Sequence, residues 1–180
     1  VMVWLISRFG WRQALVIDIH AHYYPESYMQ VLADYGYPYG TVYSNAAPAD
    51  AEEPGATSYK RPDSAFTDLG KRIAAMDEQG VTVQALSVPS PWIFWKDSEL
   101  AAALACAYND AASAAHLARP GRLVGLATLP MHDPSLALTE LERAAKLPGI
   151  RGVGLGTHAA GRELSDRMFF PVYERIAALG

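Results

Sequence analysis

The residues whose types and spacing can do chemistry are His20 and His22, at the end of the apolar run ALVIDIHAH, residues 14–22. On an extended strand, residues i and i+2 face one side, so both imidazoles meet at one point at the strand's carboxyl end. Imidazole is a favoured ligand for zinc and also suits iron and nickel, and catalytic zinc sites keep three protein ligands and one open position. The pair therefore reads as two ligands of a divalent-metal site, with Zn2+ as the first candidate. Asp18 has the same parity one step deeper in the strand. A carboxylate there is costly to bury unpaired, so it is expected to support the site from behind, as a hydrogen-bond acceptor or in a buried ion pair. His-X-His alone also arises by chance. Here it ends a strand, follows an acid and precedes Tyr23-Tyr24-Pro25.

The elements that must position the pair repeat along the chain. Runs at 81–88 (VTVQALSV), 122–129 (RLVGLATL) and 150–157 (IRGVGLGT) resemble the first and read as buried strands. Helical patterns separate them. In 64–79, Phe66, Leu69, Ile73 and Met76 keep a three-to-four spacing and Gly80 supplies the stop; 98–119 ends at Pro120-Gly121; 134–147 opens after Asp133 with Pro134 at the first position; 171–180 closes on Gly180. Strand–helix alternation implies an α/β fold with a parallel sheet and right-handed crossovers, either doubly wound or a closed barrel. Residues 1–13 read as an N-terminal tail and 14–180 as the domain. Within it, residues 23–63, rich in Tyr, Pro, Ala and Gly, separate the first strand from its helix and are expected to form a small lid or subdomain.

Four strand–helix units are half of a barrel, and complete barrels need about 250 residues. The chain is accordingly expected to be the N-terminal half of a (β/α)8 TIM-type barrel, with a fifth strand following Gly180. An unpaired edge on the first and fourth strands would favour a homodimer.

Composition narrows the partners. The 180 residues are 51% hydrophobic and 19% charged, with a formal net charge of −4 and no Lys/Arg cluster. That balance argues against a nucleic-acid footprint or a polybasic membrane patch, and no run approaches the ~20 apolar residues of a membrane span. Small-molecule chemistry is the expectation. The single cysteine, Cys106, lies in AAALACAYND, cannot form an internal disulfide, and reads as a small core residue in a reducing, cytoplasmic setting.

Four blocks carry a family resemblance: VIDIHAHYYP (16–25), RIAAMDEQGVTVQALS (72–87), RLVGLATLPMHDP (122–134) and GIRGVGLGTHAAGRELSDRMFFPVYE (149–174). In this order they resemble the amidohydrolase-related metal enzymes that include non-oxidative decarboxylases of carboxylated muconate semialdehydes and of aromatic acids. The resemblance implies that His20 and His22 are metal ligands. It also implies that a third metal histidine, an assisting histidine and an aspartate ligand follow the fifth, sixth and eighth strands, so the catalytic residues are expected beyond Gly180.

The remaining candidates are substrate contacts. His158, in GTHAAG, ends the fourth strand, where barrel enzymes place their sites, and reads as a substrate contact or a structural residue. Trp92 and Trp95 follow the second strand and either pack a flat unsaturated substrate or plug the loop. Lys60-Arg61 reads as a solvated basic pair, or Arg61 meets a substrate carboxylate, since the resemblance implies an arginine from this region. His132 reads as a solvated loop residue and His116, within a helix, as structural. The implied function is a metal-dependent, non-oxidative decarboxylase of a small carboxylated unsaturated or aromatic acid. The alternatives are a hydrolase of an amide, ester or lactone on the same scaffold, and an inactive fragment.

Overall fold

The structure, a computed structural model, describes residues 3–4, 15–35, 41–44, 57–60, 64–88, 97–159 and 161–180. In chain order these form β1 (Val3–Trp4), β2 (Val16–His22), α1 (Glu26–Tyr35), β3 (Thr41–Ser44), β4 (Thr57–Lys60), α2 (Ser64–Thr67), α3 (Leu69–Gln79) and β5 (Val83–Ser87). They continue with α4 (Ser98–Ala118), β6 (Leu123–Ala127), α5 (Pro134–Ala144), β7 (Ile150–Val153), β8 (His158–Ala159), β9 (Arg162–Glu163), a 3-10 turn (Arg167–Phe169) and α6 (Phe170–Leu179).

Strands β2, β5, β6 and β7 are parallel and stand side by side in chain order, with β1 antiparallel beyond β2. That order decides between the two α/β architectures. A doubly wound sheet reverses its direction of growth, whereas a barrel wall adds each strand on the same side. The helices cover one face, where Val16, Met76, Leu86, Leu104, Tyr108 and Leu123 share a buried core. On β2 and just before it, the other face carries Leu15, Ile17 and Ile19, which are 47%, 38% and 56% exposed. The sheet is a partial TIM-type barrel, seen as a wall with its inward side open.

Local chemistry explains most boundaries. Asp68 is extended, and its carboxylate accepts the Gly70 and Lys71 N–H groups at 2.7 and 3.0 Å, capping α3. This cap divides the single helix expected over 64–79 into α2 and α3. Asp97 and Asp133 cap α4 and α5 in the same way, with Pro134 in the first turn of α5 as expected. The strand expected over 150–157 stops at Val153. Gly154 donates one more bond to Ala127 O at 2.8 Å, and beyond the glycines the chain turns into the β8–β9 hairpin. Residues 23–63 hold an unanticipated helix, α1, whose Tyr28 and Leu32 are fully buried at a four-residue spacing, and the parallel pair β3–β4. No helix among the described residues is long and apolar enough to cross a membrane.

A polar network ties α4 to β6 and α5. Asn109 donates to Thr128 O at 3.0 Å and accepts from Thr128 N at 2.8 Å, imitating a strand partner. It also donates to buried Glu140 at 2.6 Å, which accepts from Arg143 Nε at 2.8 Å and from Cys106 Sγ at 3.1 Å. These donors are what make a buried carboxylate tolerable. Cys106 is thus half-buried and a hydrogen-bond donor rather than only an apolar filler. Burial, with the Glu140 hydrogen bond and charge next, pushes its thiol up to about 11. At about pH 8, where an ordinary thiol is partly ionised, Cys106 should stay protonated. Its alkylation by iodoacetamide should be slow and accelerate only towards pH 11; ready labelling at about pH 8 would contradict the network.

Packing between α4 and β7 explains a glycine. Gly149 has φ 81°, and a Cβ there would lie 2.0 Å from His116 Cγ. His116 cannot yield freely, because its Nδ1 is 2.7 Å from Leu123 O. Gly149→Ala combines backbone strain with overpacking and should destabilise by roughly 1–3 kcal/mol. Chemical denaturation checks this, with an unchanged midpoint as the contrary result.

Candidate metal centre

The pairing of β2 with β5 places the histidines. Ile17 and Asp18 stand opposite Val83 and Gln84, and Ala21 and His22 stand opposite Leu86 and Ser87. Three residues of β2 therefore pass where β5 passes two, a bulge around Ile19 and His20. Before it, even-numbered residues face the helices; after it, odd-numbered ones do, with Ala21 and Tyr23 buried at 4% and 8% exposure. The shift corrects the parity expected from the sequence. Asp18 lies on the helix side of the sheet, whereas His22 lies on the open side with Ile17. A bulge that re-aims a side chain beside an active site is a recurrent device.

His20 and His22 remain together. Their ring centroids are 4.8 Å apart, with the planes at 71°. His22 Nδ1 is 3.2 Å from Val88 O and 3.1 Å from Ser87 Oγ. A carbonyl oxygen only accepts, so Nδ1 carries the proton and Nε2 keeps its lone pair, the arrangement that second-shell carbonyls impose on metal-binding histidines. Burial lowers the His22 pKa, as do the neighbouring His20 and Arg72 charges, against the opposing pull of the Val88 carbonyl. The ring is thereby kept neutral, as a ligand must be. These two residues fit a divalent metal in donor type and proximity, and His22 fits in tautomer as well. Among the described residues no group of three or more His, Cys, Asp or Glu side chains is placed to hold one. Neither Asp18 nor His158 joins the pair as a third ligand.

His158 is exposed on the β8–β9 hairpin, its Nδ1 3.4 Å from Thr157 Oγ1. His132 is half-buried rather than solvated: its Nε2 is 3.2 Å from Ser98 Oγ, and burial lowers its pKa. Trp92, Trp95 and Arg61 lie outside the described residues.

Sequence reasoning missed Arg72 and Gln84. Arg72 is 6% exposed on α3 and donates to His22 O at 2.6 Å and to Gln84 Oε1 at 2.9 Å. The signal was available: Arg72 falls three residues after Leu69 and four before Met76, a cation within the helix's apolar stripe. Buried cations are uncommon enough to mark a place where polar groups must be met.

An α/β barrel wall with two histidines at the carboxyl end of its first parallel strand defines the class of protein to which this chain is to be compared. The chain belongs to the amidohydrolase family, whose model matches residues 17–180. It is 28% identical over 170 residues to a 2-amino-3-carboxymuconate-6-semialdehyde decarboxylase from Dictyostelium discoideum, covering 93% of this chain and 47% of the relative. The crystal structure of 5-carboxyvanillate decarboxylase from Sphingomonas paucimobilis superposes with a TM-score of 0.71 at 27% identity, covering 92% of this chain and 49% of that one. A 5-carboxyvanillate decarboxylase from Novosphingobium aromaticivorans, solved with bound manganese, gives a TM-score of 0.71 at 24% identity over 92% of this chain and 48% of that one. The chain spans about half the length of the relatives it matches.

The His22 geometry is directly testable. A long-range nitrogen–proton NMR correlation at about pH 7 should show a neutral His22 ring protonated on Nδ1. The Nε2-protonated tautomer would mean that the Val88 contact does not orient the ring.

Proposed function

We propose that this chain supplies two ligands to the metal site of a non-oxidative decarboxylase acting on a carboxylated unsaturated or aromatic acid. The observation that carries the reading is the His22 ring, held through Nδ1 by Val88 O, which leaves the lone pair on Nε2, and standing beside His20 at the strand's end. Support also comes from the relatives, which are decarboxylases of a carboxymuconate semialdehyde and of 5-carboxyvanillate. Zn2+ suits imidazole donors and is the first candidate, and the manganese of a structural neighbour makes Mn2+ the second.

A bound divalent metal would supply positive charge to hold and polarise the substrate's oxygens. The chain's own residues hold the rest in place. His20 and His22 fix the charge at the strand end, with His22 kept neutral by burial and by its neighbours. In this reading Arg61 meets the substrate carboxylate, Trp92 and Trp95 pack its flat skeleton, and His158 approaches from the chain following β7. The reaction breaks the C–C bond to the carboxylate, releases CO2 and leaves a proton on the carbon, with no net redox change. A cytoplasmic setting suits such a substrate and the single thiol.

The test is product analysis of the protein loaded with Zn2+ or Mn2+ and given 5-carboxyvanillate or a carboxymuconate semialdehyde. The expected result is stoichiometric CO2 with the decarboxylated acid, and a rate falling by about 1,000-fold in His22→Ala, the scale of several kcal/mol of metal-borne charge stabilisation. Addition of water to an amide, ester or lactone without CO2 would replace the decarboxylase reading with a hydrolase.

A further inference from the structure

Behind the two histidines, on the helix side of the sheet, runs a connected set of hydrogen bonds that ends on both of their backbones. Arg72 NH2 donates to His22 O at 2.6 Å and also to Phe66 O at 3.3 Å, and Arg72 NH1 donates to Gln84 Oε1 at 2.9 Å. Gln84 Nε2 donates to Asp18 Oδ2 at 3.0 Å, and Asp18 Oδ1 accepts the His20 N–H at 3.0 Å. The guanidinium thus holds the carbonyl of one histidine directly and the amide of the other through two side chains. The bulge lies between Asp18 and Ala21, so one attachment point falls within it and the other just after it, where β2 has one residue more than its partner and the ladder with β5 is interrupted.

We propose that Arg72, Gln84 and Asp18 are positioning residues that set the spacing of the His20 and His22 imidazoles by clamping the bulge from the helix side. The inference rests on the reading of those histidines as metal ligands. Three features support a clamp over ordinary packing. Arg72 is nearly fully buried, its Nε has no hydrogen-bond partner among the described residues, and its ring contact is with Tyr23, the residue after His22, at 5.8 Å. A fully apolar residue would fill the same stripe of α3 without leaving a buried N–H unsatisfied. What the guanidinium adds is a fork of rigid donors, reaching β2 and β5 at once. The register of β2 against β5 breaks at the extra residue, and there Asp18 supplies an acceptor for the His20 N–H. Mutation of such outer partners of metal-binding histidines typically weakens metal affinity by about 10–100-fold.

The polarity of the relay gives a sharp test. Gln84→Glu removes the donor to Asp18 and sets two carboxylates side by side. Asp18→Asn removes the charge and puts two amides in conflict. In the double variant the introduced amide can accept from the His20 N–H and donate to the introduced carboxylate, which still accepts from Arg72, so the relay closes again. Zn2+ affinity of the full chain is measured by competition with a chromophoric chelator, with thermal midpoints recorded in parallel. Each single variant should bind Zn2+ about tenfold more weakly, and the double variant should return to within about threefold of the parent. Glu140→Gln, in the α4–α5 network, should lower the midpoint and leave Zn2+ affinity unchanged. Parent-like affinity in both single variants, or no recovery in the double, would overturn the relay while the metal reading stands. Zn2+ uptake by the parent that survives His20→Ala and His22→Ala together would overturn the metal reading, and the relay with it.

Discussion

The parallel pairing of β2 with β5 is the constraint on which the site depends, and its decisive detail is the extra residue between Asp18 and Ala21. In an unbroken strand Asp18, His20 and His22 would face one way, with a carboxylate crowding the imidazoles. The shift sends Asp18 to the helix side, where Gln84 meets it, and leaves the histidines at the open side with ring centroids 4.8 Å apart. Strand β5 completes the arrangement. Its end provides the Ser87 hydroxyl and leads into the Val88 carbonyl, which together fix the His22 ring. One strand pair therefore sets both the direction of the two imidazoles and the tautomer of His22.

The scaffold around this pair is built to keep it still. β5 is held between β2 and β6, and α3 and α4 close over it through Met76, Leu104 and Tyr108. At the other end of the strands, Arg122 donates to Thr82 O at 2.9 Å and pairs with Asp77 at 2.6 Å, fastening the start of β6 to the turn entering β5. The network of Asn109, Glu140 and Arg143 does the same work between α4, β6 and α5, and Arg175 pairs with Glu142 to bring in α6. Polar groups thus join successive strand–helix units. The apolar residues provide most of the driving force for packing, and these links select the register at which the units meet.

Much of this was legible in the sequence because it is local. Runs of branched apolar residues mark the four parallel strands, and Asp133-Pro134 announces a helix start. His20 and His22 are legible as a pair because their i and i+2 spacing still brings the imidazoles together, although the bulge takes in His20. The bulge itself was hidden: it depends on how segments some 66 residues apart align, and no local residue signals it. Helix α1 was masked by tyrosines and prolines around it, although Tyr28 and Leu32 lie four apart on its buried face. The break at Asp68 was readable as an N-cap but was outweighed by the longer periodic pattern across it. Arg72 was the clearest overlooked signal, a charge on an apolar stripe that makes sense only once the carbonyl of His22 is seen beneath it.

The central claim is that His20 and His22 bind one metal ion together. Zinc X-ray absorption spectroscopy of the loaded protein tests it most directly, since imidazole nitrogens at about 2.0–2.1 Å give characteristic outer-shell scattering. The account predicts at least two imidazoles per zinc, falling by one in His20→Ala and by one in His22→Ala. An imidazole count unchanged by either substitution, or a zinc shell without imidazole, would contradict it.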